Sequence, residues 1–324
     1  MEKQLLDGIS VIICCYNSGW IIHRCLEALK AQQVREGLQW EVVLVDNNCT
    51  DDTATKAISA MANTSVDFRI VQEYCPGLLN VRKKGIKEVK YKYTIYCDDD
   101  NLLSQDYVDT MYGILNKNPR IGAAGGKGVA EFTTDPDPIV HDYIGAYAVG
   151  SQLEHSNYLY GAGLSTRTEL VRRIYSEQTM FLTGRLGGKL LGGDDTELTA
   201  AIRIRGYELY ATDNVSYRHV LKSDRLTYEY LTRMLDGFRE YGPVINIIEG
   251  VICNNMWKYF WRPFFVCIFV VVKYSLLFNV KNAKSLRNGH KVALLAYFHW
   301  GIFRLYKVYN VWSKIKSEVS KEGK

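Results

Sequence analysis

Four short apolar runs, each followed by a stretch with helical spacing, dominate the first hundred residues. They are residues 9–15 (ISVIICC), 41–46 (EVVLVD), 68–72 (FRIVQ) and 93–97 (YTIYC), all rich in β-branched or aromatic side chains. Helical patterns fill the gaps at 20–33, 53–61, 78–89 and 105–116. Continuous apolar strands alternating with helices predict βαβ units and an α/β fold, with a mostly parallel central sheet covered on both faces. Ligands of such sheets sit at the carboxyl ends of the strands. The second half is less regular. Residues 122–128 are glycine-rich, Asp135-Pro136-Asp137-Pro138 reads as a loop, and helices are expected near 166–176, 195–205 and 227–241. Gly206 stops the second of these as a left-handed cap. Near Pro243 the chain turns aromatic and apolar, which predicts a boundary between a domain at 1–245 and a helical tail at 246–324.

Charge sharpens that division. The net +5 hides a tail, 251–324, with 13 Lys or Arg against Glu318 and Glu322, and a body with 27 basic and 33 acidic side chains. An acidic body argues against a nucleic-acid partner, whose basic patch lies on the folded reading surface. A basic, aromatic tail suits an anionic membrane. Its apolar runs, 264–272 and 292–303, fall short of the roughly 20 residues a spanning helix needs. They read as helices lying in the headgroup region, with a core or homo-oligomer contact as the competing reading. The first residues lack the basic leader and long apolar stretch of a secretory signal, so the chain is expected in the cytoplasm, peripheral on the inner face of the membrane. Eight cysteines include no C-x-x-C pair, which argues against a zinc or redox site.

Three acidic clusters carry the candidate chemistry. Asp98-Asp99-Asp100 ends an apolar strand. Side chains two apart on an extended chain point the same way, so Asp98 and Asp100 are expected to converge on one ligand. Three adjacent carboxylates call for a cation or hydrogen-bond donors, and hard oxygen ligands favour Mg2+ or Mn2+ bridging a diphosphate. Asp46 ends the second strand and is suited to accept a hydrogen bond from a nucleoside, while Asp51, Asp52 and Thr53 read as helix caps. In Gly193-Asp194-Asp195-Thr196-Glu197, Asp194 and Glu197 have the spacing of a capping box, with Asp195 on the first turn facing outward.

Taken in order, these segments resemble the family 2 glycosyltransferases, inverting enzymes with the GT-A nucleotide-diphospho-sugar transferase fold. The resemblance runs through Ile9-Ser10-Val11-Ile12-Ile13-Cys14-Cys15-Tyr16-Asn17, then 42–47 with Asp51, then 77–85 with Arg82, the DXD-like Asp98-Asp99-Asp100, and Gly193-Asp194-Asp195-Thr196-Glu197. It implies a nucleotide-binding half at about 1–125 and an acceptor half at about 126–245. By that resemblance Tyr16, Asn17, Asp46, Arg82, Asp98 and Asp99 hold the nucleotide sugar, and Asp98, Asp100 and His219 hold the metal. Asp195 is the general base, and Gly161, Gly163 and Asp194 stand on the acceptor side. It also implies transfer, with inversion, from a nucleotide-diphosphate sugar of UDP type to a glycan or lipid-linked acceptor in bacterial cell-surface polysaccharide or glycolipid assembly. The alternative is an inactive nucleotide-sugar-binding scaffold on the same fold. A Rossmann oxidoreductase is excluded, because Cys15-Tyr16-Asn17-Ser18-Gly19 does not supply G-x-G-x-x-G after the first strand.

Overall fold

The computed structural model describes residues 4–155, 157–186, 190–276 and 283–322. In chain order the elements are β1 (Leu6–Cys15), α1 (Ile22–Lys30), β2 (Trp40–Asp46), α2 (Thr53–Ala60), β3 (Asp67–Gln72), α3 (Leu78–Glu88), β4 (Tyr91–Asp98) and β5 (Asn101–Leu103). Then follow α4 (Tyr107–Lys117), β6 (Ile121–Phe132), α5 (Pro138–Asp142), β7 (Ser165–Arg167), α6 (Thr168–Ser176), α7 (Asp194–Ile204) and β8 (Glu208–Leu221). The chain closes with α8 (Tyr228–Ile252), α9 (Arg262–Leu276) and α10 (Ala283–Glu322).

The described strands form one eight-stranded sheet in the order β3-β2-β1-β4-β7-β6-β8-β5. The four apolar runs of the first half are its parallel part: β1 pairs with β2 and β4, and β2 pairs with β3. Beyond β4 the sheet turns mixed, because β7 runs antiparallel to both β4 and β6, and β5 antiparallel to β8. Strand pleat sorts the core into two layers. Ile9, Val11, Ile13 and Cys15 of β1 join α1, α2 and α4 on one face. Ile12 and Cys14 point to the other face, which α3, α6, α7 and α8 cover.

The glycine-rich 122–128 segment, without an assignment from its residues, is the inner part of the long strand β6. Its glycines mark close approach of neighbours, the usual meaning of glycine inside a strand. A Cβ on Gly126 would lie 2.7 Å from the Tyr107 ring, and one on Gly128 2.2 Å from the Ala148 carbonyl. The expected helix at 166–176 starts at Thr168 instead, because residues 165–167 pair as β7. Gly206 adopts φ 84°, as expected of a left-handed cap.

The tail differs most from expectation. The boundary expected near Pro243 and residue 245 falls inside the continuous helix α8. One face of α10 packs on α8, burying Tyr297, Leu305, Val308 and Trp312 in the main core. Asn246 donates to the Tyr297 hydroxyl at 2.9 Å, and Trp300 Nε1 to the Glu240 carbonyl at 3.0 Å. Lys316 Nζ reaches the Val251 and Ile252 carbonyls at 2.6 and 2.7 Å, a cation on the carbonyl end of α8. The core-contact reading therefore accounts for this inner face. The outer face stays bare: Trp257, Trp261, Phe265, Phe269, Phe298, Ile302 and Phe303 are exposed. No described helix is long and apolar enough to cross a membrane.

Trp312 is fully buried at the centre of this seam. Trp312→Ala should lower the unfolding free energy by about 3–5 kcal/mol, the usual loss for a large buried aromatic. Chemical denaturation of the whole chain measures it; a loss under about 1 kcal/mol would mean that α10 contributes nothing to the core.

Candidate active site

The carboxyl ends of β1, β2 and β4 open into a cleft of about 1240 Å3. One wall carries Cys14 to Tyr16, Asn47, Asn48 and the three acids 98–100; the other carries Tyr158 to Ala162, residues 190–196, His219, Arg225 and the Phe238–Ile245 side of α8.

At the expected nucleoside end, Tyr16 lies exposed on the rim. Asn17 and Asp46 do not line the cleft. Asn17 adopts φ 52° and its Oδ1 accepts from the Thr50 amide at 2.8 Å. Asp46 is buried, its Oδ1 accepting from the Cys49 amide at 2.8 Å. Both carboxamide and carboxylate fold the loop from behind. Asn47 and Asn48, to which the sequence assigns no individual role, face the space instead. Asn47 also ties the next loop to β2, donating to the Glu73 and Cys75 carbonyls and accepting from the Gly77 amide. Asp51 stays structural, with its two oxygens on the amides of Gly19 and Thr53.

The three acids separate. Strand β4 ends at Asp98 and a turn follows, so the alternation that was expected to aim Asp98 and Asp100 together does not apply. Asp98 is half-buried and acts through space on Arg82 and Asp194. Asp99 accepts from the Ser18 hydroxyl. Burial, reinforced by the charge of Asp100, pushes Asp99 up to about 7. Asp100 is buried, with Arg225 Nη1 at 2.7 Å from Oδ2 and His219 Nε2 at 3.5 Å from Oδ1. Burial opposes its ionisation, but His219, Arg225 and Arg185 together hold it well below the usual carboxylate range.

Among the described residues, no three His, Cys, Asp or Glu side chains close into a metal cage. Asp98, Asp100 and His219 are therefore not a complete set of ligands. Mg2+ and Mn2+ sites on nucleotides need only one or two protein groups beside phosphate oxygens, and Asp100 with His219 fits that pattern. The His219 Nδ1 lies 2.7 Å from the Tyr147 carbonyl, which only accepts. Nδ1 therefore donates to that carbonyl, and Nε2 is the ring nitrogen that faces Asp100 and the cleft, the orientation of a metal-ligating histidine.

The third cluster is organised by an ion pair. Arg82 of α3 and Asp194 of α7 are both buried, with Nη1 and Oδ2 2.6 Å apart. Asp194 is thus held by Arg82 rather than serving in a capping box, and the N-cap is Gly193 at φ 87°. Glu197 turns inward and accepts from the amides of Phe181 and Leu182 at 2.7–2.9 Å. Burial pushes it up to about 8 even so. Asp195 is half-buried rather than outward-facing. Its Oδ2 accepts from the Gly161 amide at 2.9 Å and its Oδ1 from the Thr196 amide at 2.7 Å. Gly161 fits because it lacks a side chain: a Cβ there would stand 2.5 Å from Arg82 Nη2 and 3.2 Å from the Asp195 carboxylate. Gly163, at φ 70°, lies behind the wall, its carbonyl accepting from the Tyr107 hydroxyl at 2.8 Å. Arg225 was missed because Ser223-Asp224-Arg225 reads only as a polar turn.

Burial raises the Asp194 carboxyl above its ordinary value, and Arg82 opposes that rise. Arg82→Met removes the opposition, so the folded protein retains a proton that the unfolded chain releases near pH 3.9. Stability should then fall as pH rises from about 4 to 8, with a loss on the order of 3–5 kcal/mol near neutrality. Denaturation at pH 5 and pH 8, compared with the wild type, checks the sign, and Arg82→Met/Asp194→Leu should return the dependence to that of the wild type.

The Glycosyl transferase family 2 model matches residues 10–174, just over half of the chain. Poly-beta-1,6-N-acetyl-D-glucosamine synthase of Staphylococcus epidermidis is 29% identical over 126 residues, covering 39% of this chain and 29% of that protein. The poly(ribitol-phosphate) beta-N-acetylglucosaminyltransferase TarP of Staphylococcus aureus is 23% identical over 113 residues, 35% of this chain and 34% of that protein. The chain thus spans only about a third of the length of these relatives. Among solved structures, S. aureus TarS 1–349 in complex with UDP-GlcNAc aligns over 96% of this chain and 92% of its own, at 14% identity and TM-score 0.54. The mannosyltransferase PcManGT of Pyrobaculum calidifontis, in complex with GDP-Man and Mn2+, aligns over 98% and 88%, at 16% identity and TM-score 0.59. These likenesses bear out the expected GT-A fold. The family model begins in β1 and ends in α6, spanning the strands that deliver the first two acidic clusters, and the chain belongs to glycosyl transferase family 2.

Proposed function

We propose that this enzyme transfers a sugar from a UDP-type nucleotide-diphosphate donor to an acceptor hydroxyl, with inversion at the anomeric carbon and with the help of Mg2+ or Mn2+. The observation that carries the reading is the placing of Asp195: a half-buried carboxylate on the first turn of α7, oriented by two backbone amides and facing the same cleft as the acids after β4. Tyr16 and the Asn47–Asn48 turn offer a ring face and amide groups to the nucleoside. Asp100 and His219, with Asp98 nearby, would hold the cation, which when bound neutralises charge growing on the departing diphosphate.

Asp195 takes the proton from the acceptor hydroxyl as its oxygen attacks the anomeric carbon from the face opposite the diphosphate. The new carbon–oxygen bond forms as the bond to the phosphate oxygen breaks, the nucleoside diphosphate leaves with the bonding pair, and the proton passes from Asp195 to solvent. Arg82 and Asp194 fix the turn on which Asp195 stands. A binding scaffold without catalysis has no need of a carboxylate so oriented, and it would hydrolyse no donor.

The named activities of the relatives and the UDP-GlcNAc complex of TarS support a UDP-sugar donor and a glycan or lipid-linked acceptor in surface-polysaccharide assembly. The bare outer face of α9 and α10, bordered by Lys258, Arg262, Arg304 and Lys307, supports a peripheral seat on the cytoplasmic face of the membrane.

A panel of nucleotide sugars screened for hydrolysis should return at least one substrate, and a panel without turnover would favour the scaffold. Asp195→Asn should leave donor binding nearly unchanged and lower transfer by about 10²–10⁴; near-normal turnover would assign the base elsewhere. Vesicles containing anionic lipid should retain the protein at low salt and release it at high salt. Phe269→Glu/Phe303→Glu, which alters only exposed positions, should abolish retention without changing the melting temperature.

A further inference from the structure

We infer that Arg225 is a guanidinium latch, serving Asp100 as counter-ion in the absence of a divalent cation and passing to the donor's diphosphate when a cation takes that carboxylate. The inference rests on the donor and metal reading above and adds a residue and an order of events to it.

Both oxygens of Asp100 are engaged, Oδ2 by Arg225 Nη1 at 2.7 Å and Oδ1 by His219 Nε2 at 3.5 Å. A cation approaching that carboxylate meets a guanidinium already there, and two positive charges cannot share one desolvated carboxylate without loss to each. The backbone of Arg225 is fixed. Its amide donates to the Lys222 carbonyl at 2.9 Å, and its carbonyl accepts from the Tyr147 hydroxyl at 2.8 Å. The same Tyr147 holds His219 Nδ1 through its own carbonyl. One buried tyrosine thus anchors both partners of Asp100, and what remains free to move is the Arg225 side chain. That side chain lines the cleft and is 25% exposed, so it has a path into the donor space.

The chemistry favours a hand-over rather than simple displacement. A guanidinium stays protonated wherever it goes and matches the oxygens of a diphosphate with two parallel donors. Without nucleotide, the cation must compete against Arg225 for Asp100. With a diphosphate present, Arg225 gains a new partner and the cation gains phosphate oxygens. Cation and nucleotide should therefore tighten each other's binding, and by the same factor.

Binding of Mn2+ to the full chain, followed by the electron paramagnetic resonance of free Mn2+, tests this with UDP as the nucleotide probe. In the wild type, Mn2+ alone should bind weakly and UDP should tighten it. In Arg225→Gln, Mn2+ alone should bind on the order of tenfold more tightly, as expected when a charged hydrogen bond no longer competes. The affinity for UDP at saturating Mn2+, read by calorimetry, should fall on the order of tenfold. Unchanged or weaker Mn2+ binding in the variant overturns the latch, and so does undiminished UDP affinity. If melting shows that Arg225→Gln does not fold, Arg225→Lys takes its place. It keeps the charge but loses the paired donors, so UDP affinity should still fall. A wild type that binds neither UDP nor Mn2+ defeats the donor reading itself, a result distinct from a failure of the latch alone.

Discussion

A single buried ion pair, Arg82 with Asp194, ties the parallel and mixed halves of the sheet domain together. Arg82 comes from α3, which links β3 to β4 in the parallel half, and Asp194 opens α7, which leads into β8 of the mixed half. Both side chains are almost fully buried, the 2.6 Å contact lies beneath the cleft, and the guanidinium also rests over the Tyr96 ring, 5.4 Å from its centroid. Burying either charge alone would be prohibitive, so each fixes the position of the other. The next residue along α7 is Asp195, which inherits that position and receives the Gly161 amide. The proposed base is therefore set by a contact it does not itself make.

A second constraint acts on the acids after β4. Three successive carboxylates at one end of a strand repel one another, and the fold disperses rather than focuses them. Asp98 acts on Arg82, Asp99 takes the Ser18 hydroxyl, and Asp100 meets Arg225 and His219. The turn after β4 accomplishes this by breaking the strand's alternation. Asp100 and His219 are left side by side in the cleft wall, and on the proposed reading the nucleotide supplies the rest of the metal's ligands.

The carboxyl-terminal helices present two different faces. Their inner faces close the core over α8 with Phe260, Tyr297, Val308 and Trp312. Their outer faces present Trp261, Phe269, Phe298 and Phe303 to the surroundings. Aromatic side chains lie on both, so hydrophobicity along this stretch does not separate the face that closes the core from the face left exposed. The helical period does, once the packing partner α8 is known.

The parallel half of the sheet was legible because β1, β2 and β4 are buried on both faces and read as apolar runs rich in β-branched and aromatic residues. The acids marking their ends were legible for the same reason, since charge stands out where an apolar run stops. The sequence by itself thus determined the α/β class, the family resemblance and the neighbourhood of the cleft. It did not show β6, whose glycines have low strand propensity and exist to admit Tyr107 and the Ala148 carbonyl, neighbours distant in the chain. It did not show that Asp194 pairs with Arg82, 112 positions away, because a capping box explained the same spacing locally. Nor did it show that Asn17 and Asp46 lie behind the wall while Asn47, Asn48 and Arg225 face the space. Which side of a turn a polar group occupies depends on the amides and carbonyls that loops bring to it, and only the tertiary structure decides those.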